Sequence, residues 1–119
     1  MSTVDMSKPT PSDVPYGTLD LLILKTLETM GALHGYGVAR RIEQVSGDTL
    51  RLSQGSVHPA LIRLEQEGWI AADWGISETN RKVKVYSLTK SGRKQLRQEV
   101  DKWQKANALV SRFLQEAAS

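Results

Sequence analysis

The chain has 119 residues, 39% hydrophobic and 24% charged, with a formal net charge of +3 and no cysteine. This length and composition fit one folded unit with a modest core, and they exclude disulfide frameworks and thiolate metal sites. No apolar run reaches membrane-spanning length and no cationic-plus-apolar leader opens the chain, so a cytoplasmic protein with no membrane partner is expected.

Residues 1–15, MSTVDMSKPTPSDVP, hold three of the four prolines and few apolar side chains. They read as a flexible N-terminal arm. A first helix is expected over about residues 18–33, with Thr18 as its N-cap. Leu19, Leu22, Ile23, Leu27 and Met30 form one face, and Leu21 and Leu24 form a second. A helix apolar on two sides is buried on two sides, and in a small domain the extra face can be covered by another chain.

Gly35 and Gly37 open a second helix that runs to about Ser46, with Gly47 as its C-cap. Val38, Ala39, Ile42 and Val45 give its inner stripe. The segment TLRL that follows reads as a short strand, with Leu50 and Leu52 on one side. A third helix starts at Ser53 and stops at Gly68, and Val57, Ala60, Leu61 and Leu64 face inward. WIAADW and KVKVYSL then read as two strands joined by the tip GISETNR. Ile70 and Trp74 share a face of the first strand, and Val83 and Val85 share a face of the second. Thr89 caps a last long helix reaching about Gln115.

Two helices in tight succession, a third helix and a β-hairpin make winged helix-turn-helix order. The expected fold class is α+β, mainly helical, with a long C-terminal dimerisation helix. The expected division is a flexible arm at 1–15, a winged helix-turn-helix DNA-binding domain at 16–88, and a dimerisation helix at 89–119.

The third helix has an unusual start. On a helical wheel Gly55, Ser56, Pro59, Arg63 and Gln66 fall opposite the core residues, with Gln54 and His58 on a flank. A helix entering the major groove, roughly 12 Å wide, needs short side chains where it comes closest. Gly55 and Ser56 let the backbone approach. Gln54, Ser56 and His58 can donate to and accept from base edges or phosphates. The first amides favour phosphate oxygens, and Pro59 surrenders one amide while fixing the backbone. Arg81, Lys82 and Lys84 on the hairpin are placed to grip flanking phosphates. Charge runs the same way: residues 1–50 carry four basic and six acidic side chains, and residues 51–119 carry twelve basic and seven acidic. A basic second half suits a polyanion partner.

The last helix carries its own pattern. Leu96, Val100, Trp103, Asn107, Val110 and Leu114 recur with gaps of four and three, a heptad seam widened by Ala106 and Phe113. A homodimer is expected, with this seam and the second face of the first helix (Leu21, Leu24) at the interface. Asn107 can fix its register. Folding of the seam back onto its own chain is the other arrangement open to it. Trp103 can serve as a packing anchor, or two copies can flank a flat aromatic effector by stacking.

GTLDLLILKTL, HGYGVARRI, LSQGSVHPALIRLEQEGWI and VYSLTKSGRKQL together resemble the PadR family of bacterial transcriptional regulators, in its short form with one C-terminal helix. The resemblance covers about residues 16–115. It implies a homodimeric winged-helix repressor that binds an inverted-repeat operator and releases it on binding a small molecule or other signal. It matches residues 53–63, including Ser53, to the recognition helix and Arg81, Lys82 and Lys84 to the wing. It also matches residues 34–36 to the start of the preceding helix, where Tyr36 reaches a phosphate. Some members of the family hold planar aromatic compounds between their C-terminal helices, and Trp103 falls at the matching place. This chain departs from the family in having His58 and Val85 where tyrosines are usual, and in a wing tip without the common glycine, proline and basic residues.

Two other functions compete. For an enzyme, two isolated histidines, His34 and His58, make neither an acid–base pair nor a metal site, and the glycines show no phosphate-loop spacing. No catalytic residue, metal or cofactor is expected. A winged helix that binds protein instead of DNA shares the fold, so only the surface can decide between the two.

Overall fold

A computed structural model describes residues 16–118. The expected arm at residues 1–15 lies outside the described residues. The elements run α1 (Tyr16–Met30), β1 (Leu33–His34), α2 (Gly35–Val45), α3 (Gln54–Gln66), β2 (Ile70–Ile76), β3 (Lys82–Leu88) and α4 (Lys90–Ala118). The protein is mainly helical with one small antiparallel sheet, ordered β1-β3-β2.

The core lies where α1, α2 and α3 converge over the base of that sheet. Ile23, Leu24 and Leu27 of α1 meet Val38, Ala39 and Ile42 of α2, and Val57, Ala60, Leu61 and Leu64 of α3. Ile70, Tyr86 and Leu96 close it from the hairpin and α4. Spacing of three and four brings these side chains onto one stripe of each helix.

Helix ends follow local chemistry. Gly31, at φ +82°, ends α1 with its amide on the Leu27 carbonyl, so the helix stops three residues before the expected limit. Thr18 lies inside α1, not at its cap. Gly68, at φ +79°, ends α3: its amide donates to the Glu65 carbonyl and the Trp69 amide to that of Leu64. This pairing satisfies carbonyls that a helix end otherwise leaves open, and it needs a residue at ease with positive φ. His34 caps α2, its Nδ1 accepting from the Gly37 amide at 3.1 Å. Thr89 caps α4 through the Gly92 amide at 2.9 Å and donates to the Gly68 carbonyl at 2.7 Å.

Several expectations need correction. TLRL is not a strand. Leu50 and Leu52 do turn inward, but their amides go to side chains of α2 and its C-cap: Leu50 to Ser46 Oγ at 3.2 Å and Leu52 to Glu43 Oε2 at 2.8 Å. The third strand is β1, whose Leu33 and His34 pair with Tyr86 and Val85. Strand β2 runs two residues further than expected, through Gly75 and Ile76, and starts after Trp69. Val45 was expected inside but is 71% exposed, at the last residue of α2. Leu24 and Leu96 were expected at a subunit interface but are 1% and 2% exposed within the chain's own core. Leu21 and Val100 pack partly against that core. The reason is shared: the first turns of α4 lie on α1 of the same chain. From Asp101 to Glu116 every residue of α4 is exposed. At 1.5 Å per residue the 29-residue helix spans about 43 Å, so its second half projects beyond the body.

Candidate nucleic-acid interface

The start of α3 is positioned from both sides. Glu43 holds the Leu52 amide, and Leu52 is buried, so the loop before α3 is anchored to α2. Ser53 stands at the N-cap position with extended backbone, and its carbonyl accepts from the Ser56 and Val57 amides. Its hydroxyl pairs with Ser56 Oγ at 3.3 Å and makes no cap bond. Gly55, His58 and Pro59 are exposed and Ser56 is half-buried. A Cβ on Gly55 would find only Ser53 Oγ, at an ordinary 3.5 Å. The chain's own packing therefore does not demand a glycine here. Pro59 has no amide for the Gly55 carbonyl four residues back, which removes that helical bond.

Arg63 differs from the rest of the expected set. Its guanidinium turns to α1 and hydrogen-bonds Asp20 Oδ1, with both side chains largely buried. A helical wheel gives the direction of a residue but not the neighbour that meets it. Asp20 sits where α1, α3 and α4 approach. Burial raises its carboxyl above the ordinary 3.8; Arg63 pulls it back, and Glu99 of α4 pushes it further up. A carboxyl raised in the folded state holds its proton more tightly there than in the unfolded chain. Its contribution to stability is therefore full below the ordinary value and is lost as pH rises through the folded one. Relative to Asp20→Asn, the parent is expected to gain thermal stability as pH falls through this range. Paired melting curves across the acid range check the sign, and a constant difference would contradict it.

The wing is a regular hairpin. Trp74 pairs with Lys84 and Ile76 with Lys82, so these four side chains share one face with Ile70 and Tyr86. The tip is tied by the Ser77 amide on the Arg81 carbonyl at 2.8 Å, with Asn80 at φ 62°. Arg81, Lys82 and Lys84 are exposed. Lys84 Nζ lies 3.8 Å from Glu65 Oε1 on α3, which turns this face of the wing toward α3. Tyr36 is exposed at the first turn of α2, its ring stacked on His34 with centroids 6.3 Å apart. The structure thus exposes small and polar groups at the start of α3 and cations on the adjoining wing. Sequence reasoning missed Glu43, whose role depends on a contact nine residues away, and gave no role to Trp74.

The second half of α4 presents Trp103, Asn107, Val110, Phe113 and Leu114 to the outside, together with Leu109, which the heptad reading left out. Among the described residues no group of acidic or histidine side chains can hold a metal ion, and no helix is long and apolar enough to cross a membrane.

A helix-turn-helix bearing a two-stranded wing and a cationic surface defines a winged-helix DNA-binding regulator. Residues 23–98 match the family described as transcriptional regulator PadR-like. The chain belongs to that family and is a DNA-binding regulator of transcription. It is similar to a transcriptional regulator from Clostridium thermocellum, with 27% identity and a TM-score of 0.76 over 85% of this chain and 97% of the other. It is also similar to a PadR-like transcriptional regulator from Bacillus cereus, with 26% identity and a TM-score of 0.71 over 83% and 93% of the two chains. An uncharacterized protein of Lysinibacillus sphaericus is 24% identical over 87% of this chain and 94% of its own length.

Proposed function

We propose that the protein is a cytoplasmic, homodimeric repressor that binds an inverted-repeat operator and releases it on binding a small aromatic effector. In this reading residues 16–88 bind DNA and residues 89–119 dimerise. Regulation, not catalysis, is its activity. The observation that carries the reading is the exposed, small-residue start of α3 beside a wing whose Lys82 and Lys84 face the same side. Gln54, Gly55, Ser56, His58 and Pro59 enter the major groove, and Ser53 and Tyr36 contact phosphates. Arg81, Lys82 and Lys84 take the flanking backbone. Arg63 acts through Asp20 to hold α3 on α1. The projecting half of α4 pairs with its counterpart through Val110, Phe113 and Leu114. The two Trp103 rings flank the flat effector, and Asn107 sets the register.

The test begins with selection of bound sequences from a random duplex pool. Two half-sites about one helical turn apart are expected. Lys82→Ala should weaken all sequences alike and lower the slope of log affinity against log salt by about 0.9. Ser56→Ala and His58→Ala should relax preference at particular positions, each by about 1–3 kcal/mol, with the salt slope kept. A protein-binding module would show little salt dependence and no selected sequence.

A further inference from the structure

The wing carries more than cations. Trp74 and Ile76 are 60% and 68% exposed, on the face that at its base enters the core through Ile70 and Tyr86. Across the hairpin each stands opposite a lysine: Trp74 pairs with Lys84 and Ile76 with Lys82. Lys82 Nζ lies 4.9 Å from the centre of the Trp74 ring, so the ammonium is held over the aromatic face. One edge of this face is apolar and the other cationic.

We propose that this face seats in the minor groove beside the major groove occupied by α3, and that Trp74 and Ile76 select against guanine there. The inference rests on the DNA-binding reading above. Three observations choose the occupant. Charge complementarity favours a polyanion, because Lys82 and Lys84 stand opposite the apolar pair and Arg81 is exposed beside them in sequence. The face is continuous with the α3 surface through the Lys84–Glu65 contact. Its reach fits as well: from the first to the last of the seven residues of β2 is about 20 Å at about 3.3 Å per step, against about 17 Å for half a turn of duplex.

The chemistry of the groove supplies the selectivity. A minor groove about 6 Å wide offers sugar edges to apolar side chains and phosphates on both rims to lysines. An A·T pair places only acceptors on its floor, whereas a G·C pair adds the guanine 2-amino donor. Under Trp74 and Ile76 that donor loses its water and gains no acceptor, which is unfavourable. Apolar side chains at the groove floor can also lean between base steps, which yield most easily where pairs are weak.

The test uses the full-length protein and three labelled duplexes of equal length with alternating dA-dT, dI-dC or dG-dC sequence, at about 50 mM salt. Inosine lacks the 2-amino group, so dI-dC resembles dA-dT in the minor groove and dG-dC in the major groove. The parent is expected to bind dI-dC, whose major groove matches that of dG-dC, roughly 5- to 10-fold more tightly than dG-dC. Trp74→Ala and Ile76→Ser should each erase most of that difference and leave the salt slope unchanged, since neither removes a charge. Both residues are exposed, so melting temperature should stay near that of the parent. If dI-dC follows dG-dC, or both variants keep the parental ranking, the minor-groove assignment is overturned and DNA binding stands. If the parent binds none of the three, the DNA-binding reading falls and takes this one with it.

Discussion

A Phe113→Asp chain is expected to sediment as a monomer and to bind a palindromic duplex at least about 100-fold more weakly than its parent. Phe113 is 70% exposed, and Trp103, Leu109, Val110 and Leu114 are exposed with it on the part of α4 that leaves the body. Helical stability in proteins comes mostly from packing of an apolar face, which this stretch does not find on its own chain. The proposed second copy supplies the missing surface. Two-fold symmetry then places two carboxylates in one interface, and each loses several kcal/mol of solvation with no partner cation defined for it. A monomer holds one half-site only, so the gain from simultaneous engagement of two is lost. The body should remain folded, because its core draws on α4 only as far as Leu96 and Val100. Sedimentation at micromolar concentration, with duplex binding followed by anisotropy, checks both parts. An unchanged dimer would refute the assignment of this surface.

Gly92→Ala is expected to destabilise the fold by about 3 kcal/mol, lowering the melting temperature by about 12 °C. A Cβ at this position would stand 1.9 Å from the Trp69 carbonyl oxygen and 2.8 Å from Leu88 Cδ1. The oxygen belongs to backbone and is already bonded to the Thr89 amide at 3.1 Å, so it cannot swing aside. Relief requires moving the first turn of α4 off the end of α3, which disturbs the Thr89 bonds to Gly68 and Gly92 as well. Gly55→Ala is the matched control. With nothing nearer than Ser53 Oγ, it should leave stability within about 1 kcal/mol of the parent while weakening DNA binding. Thermal unfolding followed by circular dichroism separates the two. Equal melting temperatures for the two variants would show that the close approach at Gly92 carries no energy.

The contrast between these glycines shows what can be read from sequence. The stripes of α2 and α3, the strand β3 and the cap at Thr89 were legible because each is a local pattern of three to seven residues. The strand β1 was not, since two residues carry no period. Leu50 and Leu52 alternate as a strand does, but their amides bond side chains of α2 and its C-cap, and alternation is blind to the identity of the acceptor. The heptad seam was legible, yet its spacing is the same whether the partner comes from the same chain or another. Leu96 therefore fell to the core, while Phe113 stayed outside. Arg63 and Gly92 depend on neighbours far along the chain, at Asp20 and Trp69, and only the folded arrangement reveals them. At the proposed DNA-facing surface the small residues were visible because their types are odd for a helix start. The apolar side of the wing was hidden because an alternating strand looks the same whether its far end is covered or bare.

The junction at Trp69, Thr89 and Gly92 has a geometric consequence. It ties the foot of α3, the root of the hairpin and the origin of the long tail rod together through backbone and Thr89 hydrogen bonds. In the proposed dimer the separation of the two α3 helices is then fixed by the angle at which the rods cross, as the points of a drawing compass follow its hinge. In that proposed assembly a molecule wedged between the rods need not touch those helices to move them off step with the grooves; a slight change at the hinge is magnified along the arm.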